Sequence, residues 1–241
     1  MSLEVLKSKM DNTISRREMH LLGIDFTAPT LIRLGRKYGL LKSVNVGEPS
    51  KSWDVLKTVK FIRKRLSPDA PILDIGTYAS EIICSLHRLG YVNLTGIDLN
   101  PNINKMPYAD MVRYVTGDFL HMPFEDSLFE AVTAISVIEH GFQGEPLLKE
   151  LTRVIKPGGY FIASVDYWPD KIDTEGIQAF GMKWQIFSKN EMIQFIDLAG
   201  KYGFSPVGEL DFTASEPTIH WNGEKYTFAW LAIQKNQHLS S

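Results

Sequence analysis

The sequence predicts an α/β protein built on a seven-stranded, mostly parallel, doubly wound sheet with an N-terminal helical extension. Two observations lead there. From residue 72 onward, short apolar runs alternate with segments of helical spacing, the pattern of parallel strands joined by crossover helices. Residues 1–66 instead lack strand runs, and Ser67-Pro68-Asp69-Ala70-Pro71 closes them off, because proline removes a backbone donor and biases its predecessor away from helix. The expected organisation is a helical extension or cap over 1–66 and a main domain over 67–241.

Within the extension, Leu31, Leu34, Tyr38 and Leu41 recur at steps of three or four. A second helix places Trp53, Leu56, Val59, Ile62 and Leu66 near one face, with Lys57, Lys60 and Lys64 on another. In the main domain strands are expected at 72–75, 92–97, 111–115, 129–138, 160–165, 207–212 and 226–233. Helices near 79–89, 145–155 and 189–202 connect them, and Lys156-Pro157-Gly158-Gly159 reads as a turn. A loop rather than a helix joins the last two strands, so one edge strand is expected to run antiparallel.

Composition narrows the partners. With 26 Lys and Arg against 28 Asp and Glu the chain carries a formal charge of −2, without the basic excess that a nucleic-acid backbone calls for. The single cysteine, Cys84, excludes an intrachain disulfide and fits a reducing compartment. No run reaches the roughly 18 consecutive apolar residues of a membrane span, so a cytoplasmic protein with no membrane partner is expected. His20, His87, His121 and His238 have no ligand spacing, so no metal is expected. The apolar faces of the N-terminal helices are compatible with a homodimer or with a lid.

In an open α/β sheet the ligand sits beyond the carboxyl ends of the strands. After the first strand comes Asp74-Ile75-Gly76-Thr77-Tyr78-Ala79-Ser80, where the glycine lets backbone approach a ligand at the start of a helix. After the second comes Gly96-Ile97-Asp98-Leu99, with a carboxylate at the distance that suits ribose hydroxyls. After the third comes Thr116-Gly117-Asp118-Phe119, a carboxylate for a base amino group and a ring to pack on the base.

These residues, with Met122-Pro123-Phe124, Ile135-Ser136-Val137-Ile138-Glu139-His140 and the stretch 148–159, resemble the class I (Rossmann-like) S-adenosylmethionine-dependent methyltransferase superfamily. The likeness is to its small-molecule branch, with the ubiquinone/menaquinone-type methyltransferase domain, and covers about 70–235. The resemblance implies strand order 3-2-1-4-5-7-6 and S-adenosyl-L-methionine as cofactor. It implies Asp98 at the ribose, Asp118 and Phe119 at the adenine, and Gly76 near the methionine portion, with Asp74, Tyr78, Ser80, Leu99 and Ser136 around them. One departure stands out: Tyr78 and Ser80 occupy positions where the family usually has glycine. Their side chains either touch the ligand or crowd it.

Methyl transfer is mainly a matter of alignment, because the sulfonium is already activated. An oxygen or nitrogen acceptor that loses a proton gains from a base, and His140 is the first candidate, its alternative being a packing histidine. Glu139, Asp166, Trp168, Trp184 and His220 are candidate contacts to the substrate; the alternatives are a cofactor contact or a cap for Glu139, a turn acceptor for Asp166, core packing for the tryptophans and a solvated residue for His220, which is expected in a loop. The implied function is methylation of an oxygen, less readily a nitrogen, of a small molecule such as a sugar or secondary metabolite. The alternative is a non-catalytic protein that keeps the fold as a binding or regulatory partner.

Overall fold

The computed structural model describes residues 1–38, 40 and 44–237; the expected helical position Leu41 and the residue His238 lie outside them. Among the described residues the N-terminal part holds β1 (Leu3–Val5), α1 (Lys9–Leu21), α2 (Thr30–Lys37) and α3 (Ser52–Arg65). Then come β2 (Ile72–Ile75), α4 (Ile82–Arg88), β3 (Leu94–Asp98), β4 (Arg113–Thr116), β5 (Phe129–Ile135), α5 (Gly144–Val154) and β6 (Ile155–Tyr167). The chain finishes with β7 (Gln178–Ala179), β8 (Met182–Lys183), α6 (Lys189–Lys201), β9 (Phe204–Pro206), β10 (Ile219–Trp221) and β11 (Glu224–Lys235).

Alternation along the strands decides the layers. Ile72, Leu94, Ala131, Ile162 and Trp230 face α1, α3 and α4, while Leu73, Ile75, Val132, Ala134, Phe161 and Leu231 face α5 and α6. A sheet apolar on both faces is what the near-continuous hydrophobic runs required. The main path is β4-β3-β2-β5-β6-β11-β1, with β2, β3, β4, β5 and β6 parallel and β11 antiparallel to β6. The expected order is therefore met up to β11. Winding reverses between β2 and β5, which sets a crevice at the ends of those two strands.

Beyond β11 the expectation fails. Residues 207–212 form no strand; β9 pairs Ile233–Lys235 three residues earlier in sequence, and the rest of that edge is taken by β1, antiparallel to 229–231. Residues 209–211 bond to β1 instead, with Ser2 N and Leu3 N donating to Glu209 O and Asp211 N donating to Leu3 O. The supposedly strandless N-terminal segment thus supplies an edge to a nine-stranded sheet. Leu3 and Val5 are fully buried in the same cluster as the strands of the sheet.

Three smaller corrections follow from backbone geometry and packing. His220 is in β10, not a loop: Asn222 and Gly223 both take positive φ (50° and 88°) and turn β10 tightly onto β11. The run Lys156-Pro157-Gly158-Gly159 lies inside β6, with a register irregularity between Phe129 and Ala131 on the facing strand. Leu31 and Leu34 of α2, and Tyr38 just after it, face solvent, while Phe26 and Val46 on either side of that helix anchor the segment to Cys84, Ile103 and Met106.

Candidate functional site

At the end of β2 the chain turns at Gly76 with φ +67°, where a Cβ would stand 2.4 Å from Val137 on the β5 side. The two strand ends flanking the crevice therefore touch through this glycine. Gly96 serves the same closeness on the other side, since a Cβ there would meet Thr77 at 2.5 Å. Asp98, ending β3, accepts from Tyr78 N at 3.0 Å and from Asn100 N at 2.8 Å, so it holds the first loop and still has lone pairs for a ligand's hydroxyls.

Asp74 is buried under this loop. Thr133 Oγ1 donates to its Oδ1 at 2.6 Å, while Asp74 Oδ2 and Thr77 Oγ1 have no hydrogen-bond partner among the described residues. Burial raises the Asp74 carboxyl to about 6, against the pull of the Thr133 hydrogen bond. Asp118, after β4, accepts from Leu120 N at 2.8 Å, and Phe119 packs on the core beside it. A positive-φ glycine with no room for a Cβ, orphaned buried oxygens and carboxylates at three successive strand ends fit a nucleoside-bearing cofactor.

The Tyr78 and Ser80 departure is absorbed locally. Left-handed backbone falls on Ala79 (φ 66°), between them, and Ala79 N donates to Met106 Sδ at 3.2 Å. The Tyr78 ring packs on the Val46, Cys84, Ile103 and Met106 cluster, and Ser80 Oγ accepts from Ile82 N at 3.2 Å. Leu99 is exposed.

Beyond β5 and β6 lies a second cluster, centred on a residue the sequence reading passed over. Lys51, in a short 3-10 turn at Pro49–Lys51, hydrogen-bonds to Ser136 Oγ, stands 3.9 Å from Asp166 Oδ1 and lies 3.4 Å from the centre of the Phe228 ring. Asp166, at the end of β6, accepts from Trp184 Nε1 at 2.8 Å and has Tyr226 beside it. Glu139 is completely buried, and neither of its carboxyl oxygens has a hydrogen-bond partner among the described residues. Burial and the nearby Asp166 hold its carboxyl well above the usual range, with Lys51 opposing. Asp54, buried behind them, accepts from Ser164 Oγ at 2.8 Å.

His140 has a buried Nδ1 without a partner among the described residues, and its ring stands edge-on to Phe180 at 5.2 Å. Burial, then the Lys51 charge, lower its pKa to about 4, so it is neutral at neutral pH. Trp184 and Trp221 pack edge to face at 4.9 Å, and Trp168 N donates to Phe187 O at 3.0 Å behind them. His220 points to solvent and joins neither cluster. Of the residues missed, Thr133 left a legible trace, a polar side chain in the middle of an apolar strand; Lys51 left none, being one lysine among many.

A doubly wound sheet with a glycine turn at its switch point and carboxylates at the ends of three successive parallel strands is the architecture of the nucleoside-binding α/β folds. Residues 73–163 match the family model described as a methyltransferase domain. That stretch lies within the part of the chain that resembles the class I S-adenosylmethionine-dependent methyltransferase superfamily. It is 31% identical over 104 residues to a sterol 24-C-methyltransferase of Gibberella zeae, covering 40% of this chain and 27% of that one. It is 33% identical over 178 residues to the corresponding protein of Schizosaccharomyces pombe, covering 66% and 46%. The chain thus spans about a quarter to a half of the length of these curated relatives. Among solved structures, geranyl diphosphate C-methyltransferase from Streptomyces coelicolor, in complex with Mg2+, geranyl diphosphate and S-adenosyl-L-homocysteine, superposes with TM-score 0.57 at 15% identity, over 74% of this chain and 78% of that one. That likeness establishes the common fold.

Proposed function

We propose that this protein transfers a methyl group from S-adenosylmethionine to an oxygen of a small molecule. The observation that supports it best is the joint placement of Gly76, Asp74, Asp98 and Asp118 at adjoining strand ends, with Asp98 already gripping the loop that would carry the cofactor. In this reading Asp98 receives the ribose, Asp118 and Phe119 the adenine, and Asp74, Gly76, Thr77 and Ser136 surround the methionine portion. When bound, the cofactor supplies an activated methyl group; the chain's own residues align the acceptor, exclude water and take up a proton.

Oxygen is favoured over the carbon named for the relatives because Glu139 offers two buried oxygens that lack a donor, and an alkene carbon brings none. His140 is neutral but a weak base with its pKa lowered to about 4, which shifts the search for the proton acceptor to its neighbours. Calorimetric titration with S-adenosylmethionine and S-adenosylhomocysteine tests the cofactor assignment, with Asp98→Ala as comparison. Micromolar binding by the wild type and at least tenfold weaker binding by the variant are expected. No binding by folded wild-type protein would sink the proposal, and binding without turnover of any acceptor would favour a non-catalytic role. Carbon-13 NMR of product made with labelled methyl separates O-, N- and C-methylation.

A further inference from the structure

The cluster beyond β5 and β6 has a feature that packing alone does not explain. Three acidic side chains, Asp54, Glu139 and Asp166, are buried around a single ammonium, that of Lys51. Asp54 and Asp166 have hydrogen-bond donors in Ser164, Val55 and Trp184. Glu139, with no accessible surface, has no donor in full hydrogen-bond geometry at either oxygen among the described residues, although the Ser136 hydroxyl and its own backbone N–H stand nearby. A buried carboxyl left in that state costs free energy, and such groups call for a partner, whether protein, water or a bound ligand.

The surroundings restrict what that can be. An anionic acceptor would face Glu139 and Asp166 together in a poorly solvated space. A cationic acceptor would compete with Lys51, whose ammonium already lies over the Phe228 face and close to Asp166. What remains is a neutral hydrogen-bond donor, and the rings of Trp184, Tyr226 and Phe228 beside the acids suit one attached to an apolar body.

We propose that Glu139, with Asp166 and Lys51, forms the subsite that binds the hydroxyl of a neutral, largely apolar acceptor, and that Lys51 sets its selectivity by filling the place a ligand cation would take. This rests on the methyltransferase reading and names its acceptor class. In the transfer the acceptor oxygen's lone pair forms the new C–O bond, the electron pair of the breaking methyl–sulfur bond returns to sulfur, and the hydroxyl proton passes to a carboxylate oxygen of the Glu139–Asp166 pair. Lys51 touches neither methyl nor sulfur in this scheme; it is a positioning residue, delivered by the N-terminal segment to the ends of strands 85 positions further along the chain.

The test uses the full chain saturated with S-adenosylhomocysteine and three probes sharing one ring: benzyl alcohol, benzylamine and benzoate, read by saturation-transfer NMR. The wild type is expected to bind benzyl alcohol at least tenfold more tightly than either charged probe, and Glu139→Gln to lose most of that binding. Lys51→Met is expected to invert the preference towards benzylamine, while Lys51→Arg keeps the wild-type order. A purely structural role for Lys51 would weaken all three probes alike, and that result overturns the inference, as does binding of none of them or a wild-type preference for a charged probe. Calorimetry with S-adenosylhomocysteine on each variant separates the two layers: wild type that fails to bind it defeats the methyltransferase reading. Variants that bind it normally but leave probe selectivity unchanged defeat only this subsite.

Discussion

Asp54 has no surface exposed, and burial pushes its carboxyl up to about 6 despite the Lys51 charge and the Ser164 hydrogen bond. Between about pH 4 and pH 6 the folded chain therefore keeps a proton that the unfolded chain has released. Such a group contributes stability that is complete below its unfolded pKa and lost as pH rises through the folded one. Asp54→Asn removes that loss while leaving an acceptor for Ser164. The stability of the variant relative to wild type should rise by about 2.5 kcal/mol between pH 4 and pH 8, measured by urea unfolding at both values. A constant difference would show that Asp54 titrates alike in both states. The same reasoning explains why this half of the site was hard to read: an isolated Asp in a helix face of Trp53, Leu56 and Val59 looks like a solvated residue until Ser164, 110 positions away, is seen to meet it. Asp74, Gly76 and Asp98 were legible because each sits in a short local motif whose spacing alone specifies a strand end.

α1 is tied to the head of α4 by one guanidinium. Arg16 gives Nη1 and Nη2 to Glu81 at 2.7 and 3.0 Å, Nη1 to Asp25 at 3.0 Å, Nη2 to Glu48 O at 3.0 Å and Nε to Ser52 Oγ at 2.9 Å. Glu81 is almost wholly buried and also accepts from Phe26 N at 3.0 Å, so the helix that follows the Gly76 loop starts against the N-terminal segment. Arg16→Ala would leave that carboxylate buried without its cation. A loss of about 3–5 kcal/mol in urea unfolding is expected, with Arg16→Met combined with Glu81→Gln recovering most of it. If the single variant costs less than about 1 kcal/mol, the pair behaves as an exposed one. Element types were readable here, since α3, α4, α5 and α6 fall within three residues of their expected starts. Edge partners were not: three residues, Leu3–Val5, carry too little periodicity to announce a strand. The Asn222-Gly223 turn, in contrast, was a short-range hairpin signal available from the start.

Taken whole, the sheet gathers two groups of acids along one edge, with Asp74, Asp98 and Asp118 at β2, β3 and β4 and Glu139 and Asp166 at β5 and β6, where β11 adds Tyr226 and Phe228. The N-terminal segment serves both, through Arg16 on one side and Lys51 on the other. Its β1 also covers β11, whose Ala229 and Leu231 would otherwise end the sheet as an open apolar edge. Removing residues 2–6 should therefore produce a protein that self-associates. Light scattering of the purified variant should show oligomers or aggregate where the full chain gives its own smaller species; an unchanged size distribution would mean the edge is guarded by other means.

The pairing of Leu3 with Leu231 has a further consequence for how the molecule comes into being. A ribosome emits Leu3 long before it emits its partner, so the first strand has no place to dock until β11 has been made. The entropy of closing so long a loop grows only slowly with its length and does little harm to the finished fold, but contacts that distant in sequence form late. Until β11 arrives, the nascent chain holds its parallel core without that edge, and β1 can settle into place only once β11 is laid down.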